Sequence, residues 1–391
     1  MAADNSKANA APAQRARLID RRALLAGLAT ATLAPLNGAA RGAAHSPATA
    51  RMHAFATGFN LPGVCDVPPG EARLPSEELL GYLAKRGFRS IRLPVDPGLC
   101  SDVSGEFHRA LDEAHERVLG SGLSLTLDMH PGDENGALLR ADAAKGGEFI
   151  AAAWRWLAKV AAELPPDRVA LELLNEPPLA TEDWRVLRGH LIDQIRQLAP
   201  DHTLVWGAAQ NQTIEETIAD PGPDDGNAIA AVHYYYPMMF THQGQSWGKS
   251  PYAPIRQLPF PLDAGDPQVM AIAARLRADS RADSLAELDA ATEAPWTAAR
   301  IEKDFAELGA WAKASGRPAI VNEFGVYRDY ALEGDRVRWL GAVRRAAESN
   351  GFGWCHWEFD QGFGFTVSRE DAGLIDEPVL TALLGPDEAP N

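Results

Sequence analysis

The chain has 391 residues, 46% hydrophobic and 23% charged, with a formal net charge of −16 at pH 7. This is ordinary globular composition with enough apolar content for a large core. So acidic a surface argues against nucleic acid or an anionic membrane as partner, and a neutral substrate fits better.

Near the amino terminus Arg21-Arg22 precede Ala23-Leu24-Leu25-Ala26-Gly27-Leu28, and small residues follow through Ala39-Ala40. Twin arginines, a modest apolar stretch and a small-residue exit resemble a twin-arginine export signal, although Asp20 replaces the usual Ser or Thr before the pair. Residues 1–44 are therefore expected to be an export signal and disordered amino terminus, cleaved between Ala39 and Ala44, and the protein to be periplasmic or secreted. Residues 1–40 hold five basic residues (Lys7, Arg15, Arg17, Arg21, Arg22) and two acidic ones (Asp4, Asp20), so the remainder carries 32 basic and 51 acidic residues, a charge of −19. No later stretch is apolar for long enough to span a bilayer, so no membrane association is expected after export.

From residue 53 the pattern is strand, loop, helix, repeated. Strands are expected at His53–Asn60, Phe88–Val95, Leu123–His130, Val169–Leu174, His202–Gly207, Ala228–Tyr236, Pro318–Glu323 and Phe352–Phe359. Helices are expected over Ser76–Arg86 with Ser76 as the cap, and over Glu106–Leu119, Glu148–Ala162, Thr181–Leu198, Trp296–Ala314, Asp335–Ser349 and Pro378–Leu384. Eight strands alternating with helices over residues 45–391 predict one α/β domain, a (β/α)₈ barrel. A doubly wound sheet is the alternative, but it would place its site at one switch point rather than gather residues from nearly every strand. The interval from His233 to Glu323 is far longer than the others, so a long insertion after strand six, roughly Thr241 to Pro295, is expected. It includes a proline-rich stretch and a helix from Pro267 to Leu288. It leaves from the carboxyl ends of the strands, which suits a cleft wall.

Cys65, Cys100 and Cys355 have no metal-ligand spacing. A Cys65–Cys100 bridge in an oxidising compartment and buried free thiols are both open. Neither a metal nor another cofactor is expected: there is no HExxH-like spacing and no glycine-rich phosphate loop before a helix.

The strand ends carry the chemistry. VALELLNEP, Val169 to Pro177, and PAIVNEFG, Pro318 to Gly325, are short apolar strands that each deliver a glutamate preceded by an asparagine, Glu176 and Glu323. Two carboxyl groups facing one cleft can supply the acid and the nucleophile of glycosidic-bond cleavage. Arg92 and Tyr235 can hold a neighbouring carboxylate ionised. His130, Asn175 and His233 can hold sugar hydroxyls or the acid, and Trp357 offers a flat apolar face. Each has a bland reading as a salt bridge, cap or core residue; gathered at one barrel face they form a site.

These residues resemble glycoside hydrolase family 5, the cellulase-like retaining β-glycanases, from about Phe55 to the end of the barrel. The resemblance implies that Glu176 of Asn175-Glu176-Pro177 is the acid/base and Glu323 of NEFG the nucleophile. It assigns Arg92, His130, Asn175, His233, Tyr235 and Trp357 to the surrounding positions. HYYYPMMFTHQGQSW, His233 to Trp247, resembles the strand-six signature of a bacterial endoglucanase branch, in which Phe240, His242, Gln243 and Trp247 would line the cleft. The implied activity is retaining hydrolysis of a β-1,4-glucan oligo- or polysaccharide through a covalent glycosyl-enzyme, with the charge of Glu323 keeping Glu176 protonated. A monomer is expected. With no linker or second module after the barrel, soluble or short glucans are favoured over crystalline cellulose. A β-mannanase, an exo-acting β-glucosidase or transglycosylase, and a non-catalytic sugar-binding barrel remain as alternatives.

Overall fold

The structure is a computed structural model and describes residues 46–102, 104–247 and 250–385. The expected export signal, residues 1–44, lies outside the described residues.

Eight parallel strands close into a barrel in sequence order: β1 (Thr57–Asn60), β2 (Ser90–Val95), β3 (Ser124–Met129), β4 (Val169–Glu172), β5 (Thr203–Gly207), β6 (Ala228–His233), β7 (Ala319–Glu323) and β8 (Gly353–His356). The predicted (β/α)₈ architecture is the observed one. The outward faces, such as Ile91, Leu93, Leu125, Leu127 and Leu171, belong to one large apolar core with the surrounding helices. Inside, a second apolar cluster joins Ala170, Val205, Ile229, Ala231, Ile320 and Cys355 to Ala48 and Phe55.

Those last two residues mark a correction at the amino end. His53–Phe55 is not strand; it ends a helix, Pro47–Phe55. Ser46 caps this helix through Thr49 N, and Pro47 occupies its first turn, where a missing N–H costs nothing. The helix meets β1, β2, β3, β5, β6 and β8, and so packs against the barrel interior. Residues two apart on a strand share a face. Beyond the apolar layer the same rows therefore present Glu172 after Ala170, Asn322 after Ile320 and His233 after Ala231, and the carboxyl half of the interior is polar.

The insertion is present, with its helix in two pieces, Pro267–Ala278 and Ala282–Ala291, rather than one. Asp279 ends the first, and Ser280 at φ 55° turns the chain before the second. The proline-rich stretch before them is anchored by buried Ile255, Leu258, Phe260 and Leu262, and Leu262 pairs with Trp296. Besides Pro47–Phe55, three α-helices among the described residues went unpredicted because they are short or polar: Asp133–Ala141, Ile214–Ala219 and Met238–Thr241. Cys65, Cys100 and Cys355 are all buried free thiols.

Candidate active site

Arg92 projects from β2 into the polar half of the barrel, 1% exposed. All five of its N–H groups are used. Nε and Nη2 donate to the two oxygens of Glu172 at 2.7 and 2.8 Å; Nη2 also reaches Asn175 Oδ1 at 2.8 Å. Nη1 donates to Asn60 Oδ1 at 2.8 Å and Glu323 Oε1 at 2.7 Å. Asp128 Oδ2 lies 3.0 Å from Nη2. Burial alone would lower the Arg92 pKa, but Asp128, Glu172 and Glu323 more than reverse this and hold the guanidinium charged. Burial pushes the Glu172 carboxyl up, against the pull of Arg92. Asp128 also binds His130 Nδ1 at 2.7 Å. Burial opposes protonation of His130, yet Asp128 leaves its pKa raised.

Glu323 ends β7 and stands on that floor. Its second oxygen accepts from the Tyr235 hydroxyl at 3.0 Å. Both oxygens thus receive strong donors, which the carboxylate form can accept at both positions. Burial and the Glu323 charge keep Tyr235 a phenol, well above its ordinary pKa.

Glu176 lies four residues beyond β4, at φ 39° in the left-handed region that non-glycine residues seldom occupy. His233 Nδ1 is 2.9 Å from Glu176 Oε1 and 3.4 Å from Glu323 Oε2. A register irregularity at Val232–His233 sets His233 opposite Glu323 and aims the ring between the two carboxyls. Burial depresses the His233 pKa to about 4, so the ring is neutral, and a proton on Nδ1 satisfies Glu176. One oxygen of each glutamate and a ring nitrogen of His233 all lie within 4.8 Å of one another. Desolvation by the cleft walls raises Glu176 to about 7, although 40% of its side chain remains open to the cleft. The sequence pointed to the charge of Glu323 as the source of this rise; burial is the main cause, with Asp128 adding to it.

Above the pair is a cleft of about 620 Å³. It is lined by His130, Asn175, Glu176, His233, Tyr235, Glu323, Trp247 and Trp357, so the two glutamates and the residues assigned around them face it, except Arg92, which lies beneath. Trp357 stacks on His130 at 5.9 Å. Trp247, 49% exposed, meets Tyr327 edge-on at 5.2 Å. His242 also lines the cleft. Phe240 and Gln243 do not belong to it. Phe240 is fully buried against Phe260, and Gln243 is a buried strap that bonds Phe240 O, Leu258 O and Leu258 N. The Met238–Thr241 turn directs both inward, which the linear run from His233 to Trp247 conceals.

Sequence reasoning missed Glu172, Asp128 and Asn60 of the floor, and the wall residues Tyr327 and Phe363. Glu172 had a signal: it is a charged residue within the apolar run Val169–Leu174, on the inward parity of β4. Asp128 had the same one in Leu123–Met129.

Two facing glutamates at the carboxyl end of a parallel (β/α)₈ barrel, one on a cationic floor and one raised by its surroundings, define the class: a barrel glycoside hydrolase. The family model for cellulase, glycosyl hydrolase family 5, matches residues 52–362. The chain belongs to glycoside hydrolase family 5. It is 27% identical over 301 residues to Endoglucanase 3 of Fibrobacter succinogenes, covering 72% of this chain and 45% of that protein. It is 25% identical over 188 residues to Cellodextrinase A of Ruminococcus flavefaciens, covering 44% and 54%. The chain thus spans about half the length of the curated relatives it matches. Among solved structures, Thermotoga maritima Cel5A in complex with mannotriose superposes with a TM-score of 0.68 at 24% identity, over 86% of this chain and 99% of that one.

Proposed function

We propose that the protein hydrolyses β-1,4-linked glucans with retention, Glu323 acting as nucleophile and Glu176 as acid and then base. The observation that carries the mechanism is the close approach of the two carboxyl groups, one oxygen of each lying within 4.8 Å of the other. Retaining pairs stand about 5–5.5 Å apart, whereas inverting pairs leave about 6.5–9.5 Å for a water. Glu323 attacks the anomeric carbon as Glu176 protonates the departing oxygen. Glu176 then takes a proton from water as that water displaces the sugar from Glu323. Arg92 and Tyr235 orient the attacking carboxylate, and the cleft-facing polar groups of His130, Asn175 and His233 meet the sugar. No Lys or Arg lines the cleft among the described residues, which suits a neutral glycan.

The substrate assignment is supported by the two relatives, an endoglucanase and a cellodextrinase. The mannotriose complex of the fold relative makes mannan the comparison to run. Initial rates on β-1,4-glucan, mixed-linkage glucan and β-mannan test it, and a preference for mannan would overturn the glucan reading. We also infer export, supported by Arg21-Arg22 and the residues that follow. Replacing both arginines by lysine should retain the enzyme in the cytoplasm, as cell fractionation would read.

A further inference from the structure

Glu176 is held in an uncommon backbone conformation, and a buried side chain from the loop after another strand does the holding. Gln212 lies five residues past β5, fully buried. Its Oε1 accepts the Glu176 backbone N–H at 2.5 Å. Its own carbonyl accepts the His233 N–H at 2.8 Å. His233 Nδ1 returns to the Glu176 carboxyl at 2.9 Å. The three residues close a circuit across the ends of β4, β5 and β6 that fixes both the backbone and the carboxyl of one glutamate. The β5 loop straps the segment after Glu176 as well, with Gln210 N donating to Pro177 O at 2.9 Å and Gln210 Nε2 donating to Leu179 O. The barrel also makes room for the clamp: a Cβ at Gly207 would collide with the side-chain amide of Gln212.

We propose that Gln212 is a positioning residue for the proton donor, holding Glu176 at the angle from which its carboxyl reaches the departing oxygen. The proposal rests on the reading of Glu176 as acid/base. Glu176 at φ 39° persists only while its surroundings over-determine it. Without the Gln212 oxygen the Glu176 N–H loses its acceptor, the peptide turns, and the carboxyl swings away from His233 and the glycosidic oxygen. Glu323, fixed by Arg92 from β2 and Tyr235 from the β6 loop, does not share this support. The consequence is selective: bond cleavage that needs protonation suffers, and cleavage that does not need it is spared.

The test compares kcat/KM for phenyl β-cellobioside, whose leaving group requires a proton, with that for 2,4-dinitrophenyl β-cellobioside, whose leaving group does not. Wild type, Glu176→Gln, Gln212→Met and Gly207→Ala are measured beside melting curves. Gln212→Met keeps the length and removes the acceptor; Gly207→Ala displaces the clamp without altering its atoms. Each is expected to lose about 10- to 100-fold on the phenyl glycoside and less than about 3-fold on the dinitrophenyl glycoside, the size of effect a displacement of about 1 Å produces. If Gln212→Met fails to fold, Gly207→Ala decides. Equal losses on the two substrates, or none, would show that Gln212 only braces the loop. If Glu176→Gln itself shows no such split, the acid assignment falls and Gln212 with it. A split in Glu176→Gln without one in the clamp variants overturns the Gln212 proposal alone.

Discussion

The ends of β7 and β4 deliver the same residue type to the same cleft under opposite regimes. Glu323 is the last residue of its strand, 5% exposed, with both oxygens held by Arg92 and Tyr235. Glu176 stands four residues beyond its strand, in left-handed backbone, with one oxygen on a neutral imidazole and the side chain 40% exposed. The first setting fixes both carboxyl oxygens in place. The second raises the pKa to about 7 and leaves a group able to give and regain a proton. Under the proposed mechanism, the two chemical roles follow from placement rather than residue identity.

The comparison breaks most completely at β7. Glu323→Ala should lower kcat by about 10⁴-fold or more, since the attacking atom is gone. The fold should survive, because the change relieves one of three carboxylates around Arg92. Added azide should restore part of the rate on an activated aryl glycoside. Undiminished activity in the variant would refute the assignment.

At β4 the loss depends on the substrate and on pH. Glu176→Gln should cost about 10²- to 10⁴-fold in kcat/KM where the leaving group needs a proton. In the wild type the acid works while protonated, so kcat/KM should fall as pH rises through about 7, following the raised Glu176 pKa. That basic limb should disappear in Glu176→Gln. A limb unchanged in the variant would assign the titration to another group.

The floor beneath β7 should report as stability. Glu172→Gln leaves Arg92 without its bidentate carboxylate, and breaking such a buried pair costs about 3–5 kcal/mol. Denaturant midpoints measure this, and an unchanged midpoint would show that Asp128 and Glu323 suffice.

The smallest effect belongs to the wall. Trp247→Ala should reduce kcat/KM on longer oligosaccharides by about 10-fold and on a small aryl glycoside much less, because remote contacts help position the reacting sugar. Equal losses with a lowered melting temperature would mean that Trp247 serves only to pack against Tyr327 and Phe363.

The barrel and the two glutamates were legible because strand ends leave a one-dimensional mark, an apolar run stopping at polar residues. The floor was harder to see. Glu172 and Asp128 lie inside runs that read as apolar on average, and only strand parity shows them facing Arg92. Phe240 and Trp247 look alike in sequence, yet one helical turn buries the first and leaves the second in the cleft. Gln212 left no mark at all, since its role arises from a loop of β5 meeting a loop of β4.

The central claim is that Glu323 forms a covalent bond to the sugar. An activated 2-deoxy-2-fluoro-β-cellobioside should inactivate the enzyme, and mass spectrometry of the proteolysed protein should find the fluorosugar on the peptide containing Glu323. An adduct on another residue, or turnover of an aryl cellobioside with the α-anomer as first product and no adduct, would contradict it.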